Sequence, residues 1–372
     1  MLYSLIERES GPRYWPWRRY IVYETVFVAM SGGVDSSAAA VLLIEKGYHV
    51  CGITMEHWSG ELPGSSAVDD ARQVAKSLGI PHYVCDLQET FQKNVVNYFC
   101  SEYFAGRTPN PCVVCNRTIK FGALFDVARK LGADYLATGH YARVAYDEQR
   151  RRWVLKKGLD DHKDQSYVLY TLSQEILPHL IFPLGDYRKE EIRQIAADAG
   201  LSVAGSKESQ DICFIPDNDY RSFLLKNAHR TAEPGIIYDR EGNSVGEHQG
   251  VAFYTIGQRR GLGLALGYPA YVVEIDSLRN ALVVGKAQDL LASGLTARDV
   301  NFIAIQSLQE HLQAQVKIRY NAAPVEAVIS PGEGGEIVVR FSQPQKAVTP
   351  GQAVVFYQDD LVLGGGFIDS RI

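Results

Sequence analysis

The sequence predicts an α/β protein: a doubly wound parallel sheet, then a small mixed β domain, then a C-terminal β-barrel. Three observations carry this. Up to about residue 142, short apolar runs alternate with helix-period segments that stop at glycine, as parallel strands joined by crossover helices do. Between the first run and the first helix lies "SGGVDSS", a polar, glycine-bearing loop where a buried junction would otherwise pack side chains. After about Asp217 the period shortens to alternating strands broken by Gly, Asn, Asp and Pro.

Each element follows in order. Val26–Met30 is a short apolar strand, and Ser36–Lys46 a helix stopped by Gly47. Val50–Met55 is a second strand. Val68–Leu78 is a helix ended by Gly79, and His82–Asp86 a third strand. Phe91–Phe104 and Ile119–Leu131 are amphipathic helices, the latter ended by Gly132 before a strand at Tyr135–Thr138. "ARVAYDEQRRRWVLKKG" has the pattern of a hairpin, and Tyr167–Ala204 is expected to be largely helical. The predicted boundaries are an N-terminal extension of unassigned role (1–24), a catalytic domain (25–214), a central β-rich domain (215–290) and the barrel (291–372).

With 372 residues, 46% hydrophobic and 22% charged, the composition is that of a soluble globular protein. No apolar run is long enough to span a bilayer, and the N-terminus lacks a secretory pattern. The net charge of −5 gives no general attraction to nucleic acid. An RNA partner therefore needs local basic patches, which "EQRRRW", Lys156–Lys157, Arg259–Arg260, Lys317 and Arg319 supply; each alone reads as a solvated face. Six cysteines are too few for a disulfide scaffold of this size and point to a reducing, cytoplasmic setting.

In the loop, Gly32 and Gly33 permit a tight turn with no Cβ in the way. The turn aims backbone amides at the positive N-terminus of the next helix, a site for phosphate. Ser31, Ser36 and Ser37 add hydroxyl donors, and Asp35 is placed to hold Mg2+ on a phosphate. The loop lacks the Lys-Ser/Thr ending of a Walker motif and the three spaced glycines of a dinucleotide fingerprint. It resembles the pyrophosphate loop (PP-loop) of the N-type ATP pyrophosphatase superfamily, which implies ATP and Mg2+ and adenylation of a carbonyl oxygen.

Cys51, Cys85 and Cys100 lie in apolar surroundings and read as packing residues. Cys112 and Cys115 stand at the start of a predicted helix with Arg117 and Lys120 close by, conditions that favour a reactive thiolate at Cys115. Cys213 lies in the polar stretch "ESQDICFIPDNDY". A structural zinc site would need a second close cysteine pair, and the sequence has none.

The loop, "GRTPNPCVVCNRTIKFG", "DYLATGHYAR", "DHKDQSYVLYTL", "ESQDICFIP" and "YTIGQRRGLG" occur in this order, followed by "VKIRY" and "TPGQAVVFY". Together they resemble the bacterial tRNA-specific 2-thiouridylase family over nearly all of the chain beyond residue 24. The resemblance implies an ATP-dependent sulfurtransferase that replaces the 2-carbonyl oxygen of a tRNA wobble uridine with sulfur. By it, Ala29, Met30, Ser31, Gly32, Gly33, Val34, Asp35 and Ser36 bind ATP, with Met55 and Gly139 flanking the adenosine. Cys213 carries a persulfide received from an upstream sulfur-carrier protein. Cys115 attacks that persulfide and forms a transient disulfide, a mobile loop bringing the two cysteines together. Asn110, Pro111 and Cys112 touch the target base. His140, Lys163, Asp164, Gln165, Arg319, Tyr320 and Gln352 contact tRNA. Asp164 alone also reads as a helix cap.

Some family members have an aspartate where this chain has Cys112. An alternative therefore has Cys112, Cys115 and Cys213 holding a [4Fe–4S] cluster. A PP-loop amide-forming synthetase and a nucleotide-binding RNA chaperone are further alternatives. The first leaves Cys115, Cys213 and the β tail without a role.

Overall fold

The computed structural model describes residues 8–9, 24–58, 67–205, 212–215, 219–228 and 230–372. Apart from residues 8, 9 and 24, the N-terminal extension lies outside them. Internal contacts divide the chain into two compact units. One comprises Met1–Gln92, Val114–Pro216 and Asp360–Val362; the other comprises Lys93–Val113, Asp217–Asp359 and Leu363–Ile372.

The first unit is built on a sheet of β1 (Arg8–Glu9), β2 (Thr25–Ala29), β3 (His49–Glu56), β4 (His82–Asp86), β5 (Tyr135–Ala137) and β8 (Leu180–Ile181). Its order is β1-β4-β3-β2-β5-β8, parallel throughout except for β1. A hairpin of β6 (Ala142–Asp147) and β7 (Arg152–Lys157) follows β5. The β-branched run of β2 explains why this strand is central. Alternation sends Val26, Val28 and Met30 into a cluster with the helix Val34–Glu45, while Phe27 meets Tyr83 at 5.4 Å. Ala38, Ala39 and Ala40 of that helix are fully buried, so small side chains set its close approach. Enlarging one of them costs about 1–3 kcal/mol through overpacking.

The parallel sheet agrees with the sequence reading, and one stretch corrects it. Residues 167–204 hold 3-10 turns at Ser166–Val168, Leu177–His179 and Ser202–Gly205, the strand β8, and a single α-helix, Lys189–Asp198. Tyr167, Leu169, Tyr170, Leu172 and Leu177 are all buried. Dense apolar sequence here fills core through successive tight turns, and Pro178 and Pro183 remove the amides a continuous helix needs.

In the second unit, β9 (Gly235–Tyr238), β10 (Ser244–His248), β11 (Tyr271–Asp276) and β12 (Ala281–Gly285) form a four-stranded sheet in the order β10-β9-β12-β11. β13 (Leu291–Phe302), β14 (Leu312–Lys317), β15 (Val325–Pro331), β16 (Ile337–Lys346), β17 (Ala353–Gln358) and β18 (Leu361–Arg371) follow the order β13-β16-β15-β14-β17-β18, and β18 pairs back with β13 to close the barrel. Two helices of this unit pack on each other. Asn97–Phe104 packs on Tyr220–Asn227 through Phe99–Phe223 at 6.0 Å and stacked Tyr103–Tyr220 at 5.1 Å. The second helix lies where only strands were expected. Its start signal was present: Asp219 caps it by accepting from the Ser222 amide at 3.1 Å.

Candidate functional site

The polar loop sits at the C-terminal end of β2, where an open parallel sheet receives ligands. The Met30 amide still bonds Ile53 of β3 at 2.8 Å, and Thr54 Oγ1 donates to the Met30 carbonyl at 2.9 Å. Beyond that the chain leaves the sheet. Gly32 turns with φ +73°, and a Cβ there would lie 2.6 Å from Asp70 Cβ, so both conformation and space require glycine. Ser36 Oγ accepts from the Ser31 amide at 3.1 Å and donates to the Gly33 carbonyl at 3.2 Å; Ser37 Oγ donates to the same carbonyl at 2.8 Å. These bonds brace the turn from inside. Gly33, at the N-cap, has no side chain to cap the helix that starts at Val34. Its leading amides are thus available to an anion such as a nucleotide phosphate. Gly139 closes against the same turn: a Cβ on it would stand 2.8 Å from the Ser36 nitrogen. The structure therefore brings the loop, Gly139 and the end of β3 with Met55 to one edge of the sheet.

Asp35 is already engaged. Lys189 Nζ donates to its two carboxylate oxygens at 2.7 and 2.9 Å, and Tyr141 OH donates to one of them at 2.8 Å. The Lys189 ammonium also lies 5.7 Å from the Tyr141 ring centre, and the Lys189 amide bonds Asp160 at 3.1 Å. These contacts hold in place the carboxylate that the sequence reading assigned to Mg2+, and they neutralise a buried ammonium. Lys189 and Tyr141 escaped the sequence reading because an isolated lysine at a helix start and a tyrosine after a strand carry no motif.

Two residues expected to contact tRNA are interior. His140 is buried between the rings of Phe121 and Phe182, with Thr138 Oγ1 2.7 Å from its Nδ1. Burial, with Lys120 nearby, holds its pKa well below the ordinary histidine value. Asp164 is also buried and accepts from the Gly158 amide, the Ser166 amide and Ser166 Oγ at 3.1, 3.0 and 2.8 Å. Gln165 Oε1 accepts from the Tyr141 amide at 3.1 Å, and Lys163 is half-buried beside them.

None of the six cysteines is joined in a disulfide in this structure. Burial pushes Cys85 and Cys100 up to about 11, as inert packing thiols require. Cys112 and Cys213 are exposed, whereas Cys115 is buried. Cys112 is the second residue of the helix Pro111–Cys115, and Cys115 ends it where a π-helical stretch, Asn116–Leu124, begins. The helix N-terminus thus bears more directly on Cys112 than on Cys115. Among the described residues, no three His, Cys, Asp or Glu side chains are grouped to hold a metal. Cys213 Sγ lies 3.8 Å from His57 Nε2, a neighbour that no sequence motif pairs with it. The loop expected to carry Cys213 includes residues 206–211 and 216–218, which lie outside the described residues.

The second unit gathers another group. Gln352 Nε2 donates to the Thr108 and Pro109 carbonyls at 3.0 and 3.1 Å, and the Thr108 amide bonds the Pro350 carbonyl at 2.8 Å. The barrel thereby fixes the segment that leads into Asn110, Pro111 and Cys112. Arg319 and Tyr320 are exposed; Arg319 Nη2 donates to the Lys346 carbonyl, and Lys317 Nζ lies 5.9 Å from the Tyr320 ring centre.

Residues 24–217 match the family model of the tRNA methyl transferase HUP domain, 221–286 that of the tRNA methyl transferase PRC-barrel domain, and 292–368 that of the aminomethyltransferase beta-barrel domain. The chain is 49% identical over 353 residues to the tRNA-specific 2-thiouridylase MnmA of Acetivibrio thermocellus, covering 92% of this chain and 98% of that one. It is 50% identical over 361 residues to the MnmA 1 of Caldanaerobacter subterraneus, covering 94% and 99%. It is 51% identical over 352 residues to the MnmA of Moorella thermoacetica, covering 92% and 99%.

Proposed function

Because this chain belongs to the family of tRNA-specific 2-thiouridylases, we propose that it is an ATP-dependent tRNA sulfurtransferase that makes 2-thiouridine at the wobble position. The observation that carries the reading is the braced, uncapped turn at Ser31–Ser36, closed by Gly139, in the same unit as the exposed thiol of Cys213.

A uracil carbonyl oxygen is a poor leaving group. Transferring AMP to it makes departure easy, and a strong sulfur nucleophile then completes the exchange. Ala29–Ser36 hold the triphosphate of ATP on backbone amides and serine hydroxyls; Met55 and Gly139 border the adenosine. Lys189 and Tyr141 position the loop through Asp35. Cys213 accepts the outer sulfur of a carrier protein's persulfide. The Cys115 thiolate attacks the inner sulfur of Cys213–S–SH, forming a disulfide and releasing hydrosulfide. Hydrosulfide displaces AMP from the uracil, and a cellular thiol reductant reopens the disulfide. Asn110, Pro111 and Cys112 border the base, which leaves its stack to react. Lys163, Gln165, Arg319 and Tyr320 contact the RNA; phosphate contacts position it, and stacking holds unpaired bases. His140, Asp164 and Gln352 act through the segments they hold in place. The reaction belongs in the cytoplasm, where tRNA and persulfide carriers meet.

Cys213→Ser tests the proposal. The variant should bind ATP and tRNA like the parent and form no 2-thiouridine, measured by mass spectrometry of digested tRNA. Full thiolation by it would overturn the assignment of the sulfur carrier.

A further inference from the structure

The pairing of Cys213 with His57 has a defined chemistry. His57 Nδ1 lies 3.3 Å from the Met55 carbonyl, while Nε2 lies 3.8 Å from Cys213 Sγ. A carbonyl only accepts, so Nδ1 carries the ring proton and Nε2 turns its lone pair to the thiol. Both partners are fixed by one aromatic cluster. The His57 ring meets Phe91 edge-on at 4.9 Å; Phe91 meets Phe214, the residue after Cys213, at 5.4 Å; Trp58 meets Phe214 at 6.1 Å. His57 follows the end of β3, two residues after Met55, at the ligand-receiving edge of the sheet. The titratable groups bearing on the ring among the described residues are Cys213 and Lys120. Burial above all, then the Lys120 charge, lowers the His57 pKa, which keeps the imidazole neutral and able to accept a proton at pH 7.

We propose that His57 is a catalytic base for the sulfur step, taking the proton of Cys213 Sγ as that thiol attacks the sulfur donor. The inference rests on the reading of Cys213 as sulfur carrier. The step balances: the thiol proton moves to His57 Nε2, and the Cys213 thiolate forms an S–S bond to the outer sulfur of the donor persulfide. The donor's own S–S bond breaks, its thiolate leaves with the electron pair, and His57 returns the proton to that thiolate. There is no net oxidation or reduction.

The test uses site-resolved alkylation of the full-length protein by iodoacetamide across pH 5.5–9.5, after chelation of adventitious metal, with Cys112 as internal reference. It needs neither ATP nor tRNA, so its failure is distinct from a failure of Cys213→Ser to abolish thiolation. In the parent protein, Cys213 should react with a limb below the ordinary thiol range near pH 8.5. His57→Gln keeps an acceptor beside the thiol but cannot take its proton. It should move that limb up to the ordinary range and slow Cys213 about tenfold at pH 7, leaving Cys112 unchanged. An unchanged Cys213 profile in His57→Gln would reduce His57 to packing and overturn the proposal. So would a parent protein in which Cys213 titrates in the ordinary thiol range, a result that requires no variant.

Discussion

Lys189 has a buried side chain, while its partner Asp35 is about a third exposed, at 32%. Removing the ammonium leaves a carboxylate at the glycine turn to which, among the described residues, the Tyr141 hydroxyl still donates. Breaking a fully buried pair costs about 3–5 kcal/mol, and partial solvation of Asp35 reduces this to about 2–3 kcal/mol. Lys189→Met should therefore destabilise by that amount in urea unfolding. Lys189→Met with Asp35→Asn should recover at least half of the loss, because no charge is then left unpaired. Additive losses in the double variant would show that the pair has no coupling. At this scale the serines and glycines of the loop were readable, since each has a local reason for its type. Lys189 and His57 were not, because their partners lie far away in the chain.

The segment 107–111 is held to the barrel by the Gln352 side chain, by the Thr108–Pro350 backbone bond and by the Arg107 guanidinium, which donates to Asp369 and to the Ile368 carbonyl. Gly351, with φ +91°, packs so closely that a Cβ there would stand 2.9 Å from the Thr108 carbonyl oxygen. Gln352 Nε2 donates to the Thr108 and Pro109 carbonyls of the strap. Gln352→Ala should speed hydrogen exchange in peptides covering 107–113 at least tenfold while leaving the barrel strands protected; equal exchange in parent and variant would show that the strap is held by other means. Strands and glycine-ended helices of the parallel sheet were legible because their periods are local. The Tyr167–Ala204 stretch misled because burial on every side erases the period on which a helix assignment depends. The helix at Tyr220–Asn227 was hidden in a β-rich context despite its Asp219 cap.

At the scale of the molecule, three histidines have a lowered pKa: half-buried His57 and buried His140 in one unit, buried His248 in the other. Desolvation is the largest cause of the lowered pKa in each. A lowered folded-state pKa means that the unfolded chain binds more protons as pH falls below about 6.5. Stability from these groups is complete above that pH and is lost on acidification, at up to about 1.4 kcal/mol per pH unit for each group. Urea midpoints should hold between pH 8 and 7, fall between 6.5 and 5.5, and fall less steeply in His140→Gln. A midpoint flat to pH 5.5 would contradict this.

The sequence by itself determined the parallel sheet, the polar glycine turn, the β tail and the family, because these rest on local period, on glycine conformation and on motifs in fixed order. Only the tertiary structure decided that Asp35 is matched by Lys189, that His140 and Asp164 face inward, that the barrel fixes the strap before Cys112, and that His57 stands beside Cys213. Those four facts depend on which distant side chains share a small volume, and the packing of the whole chain settles that.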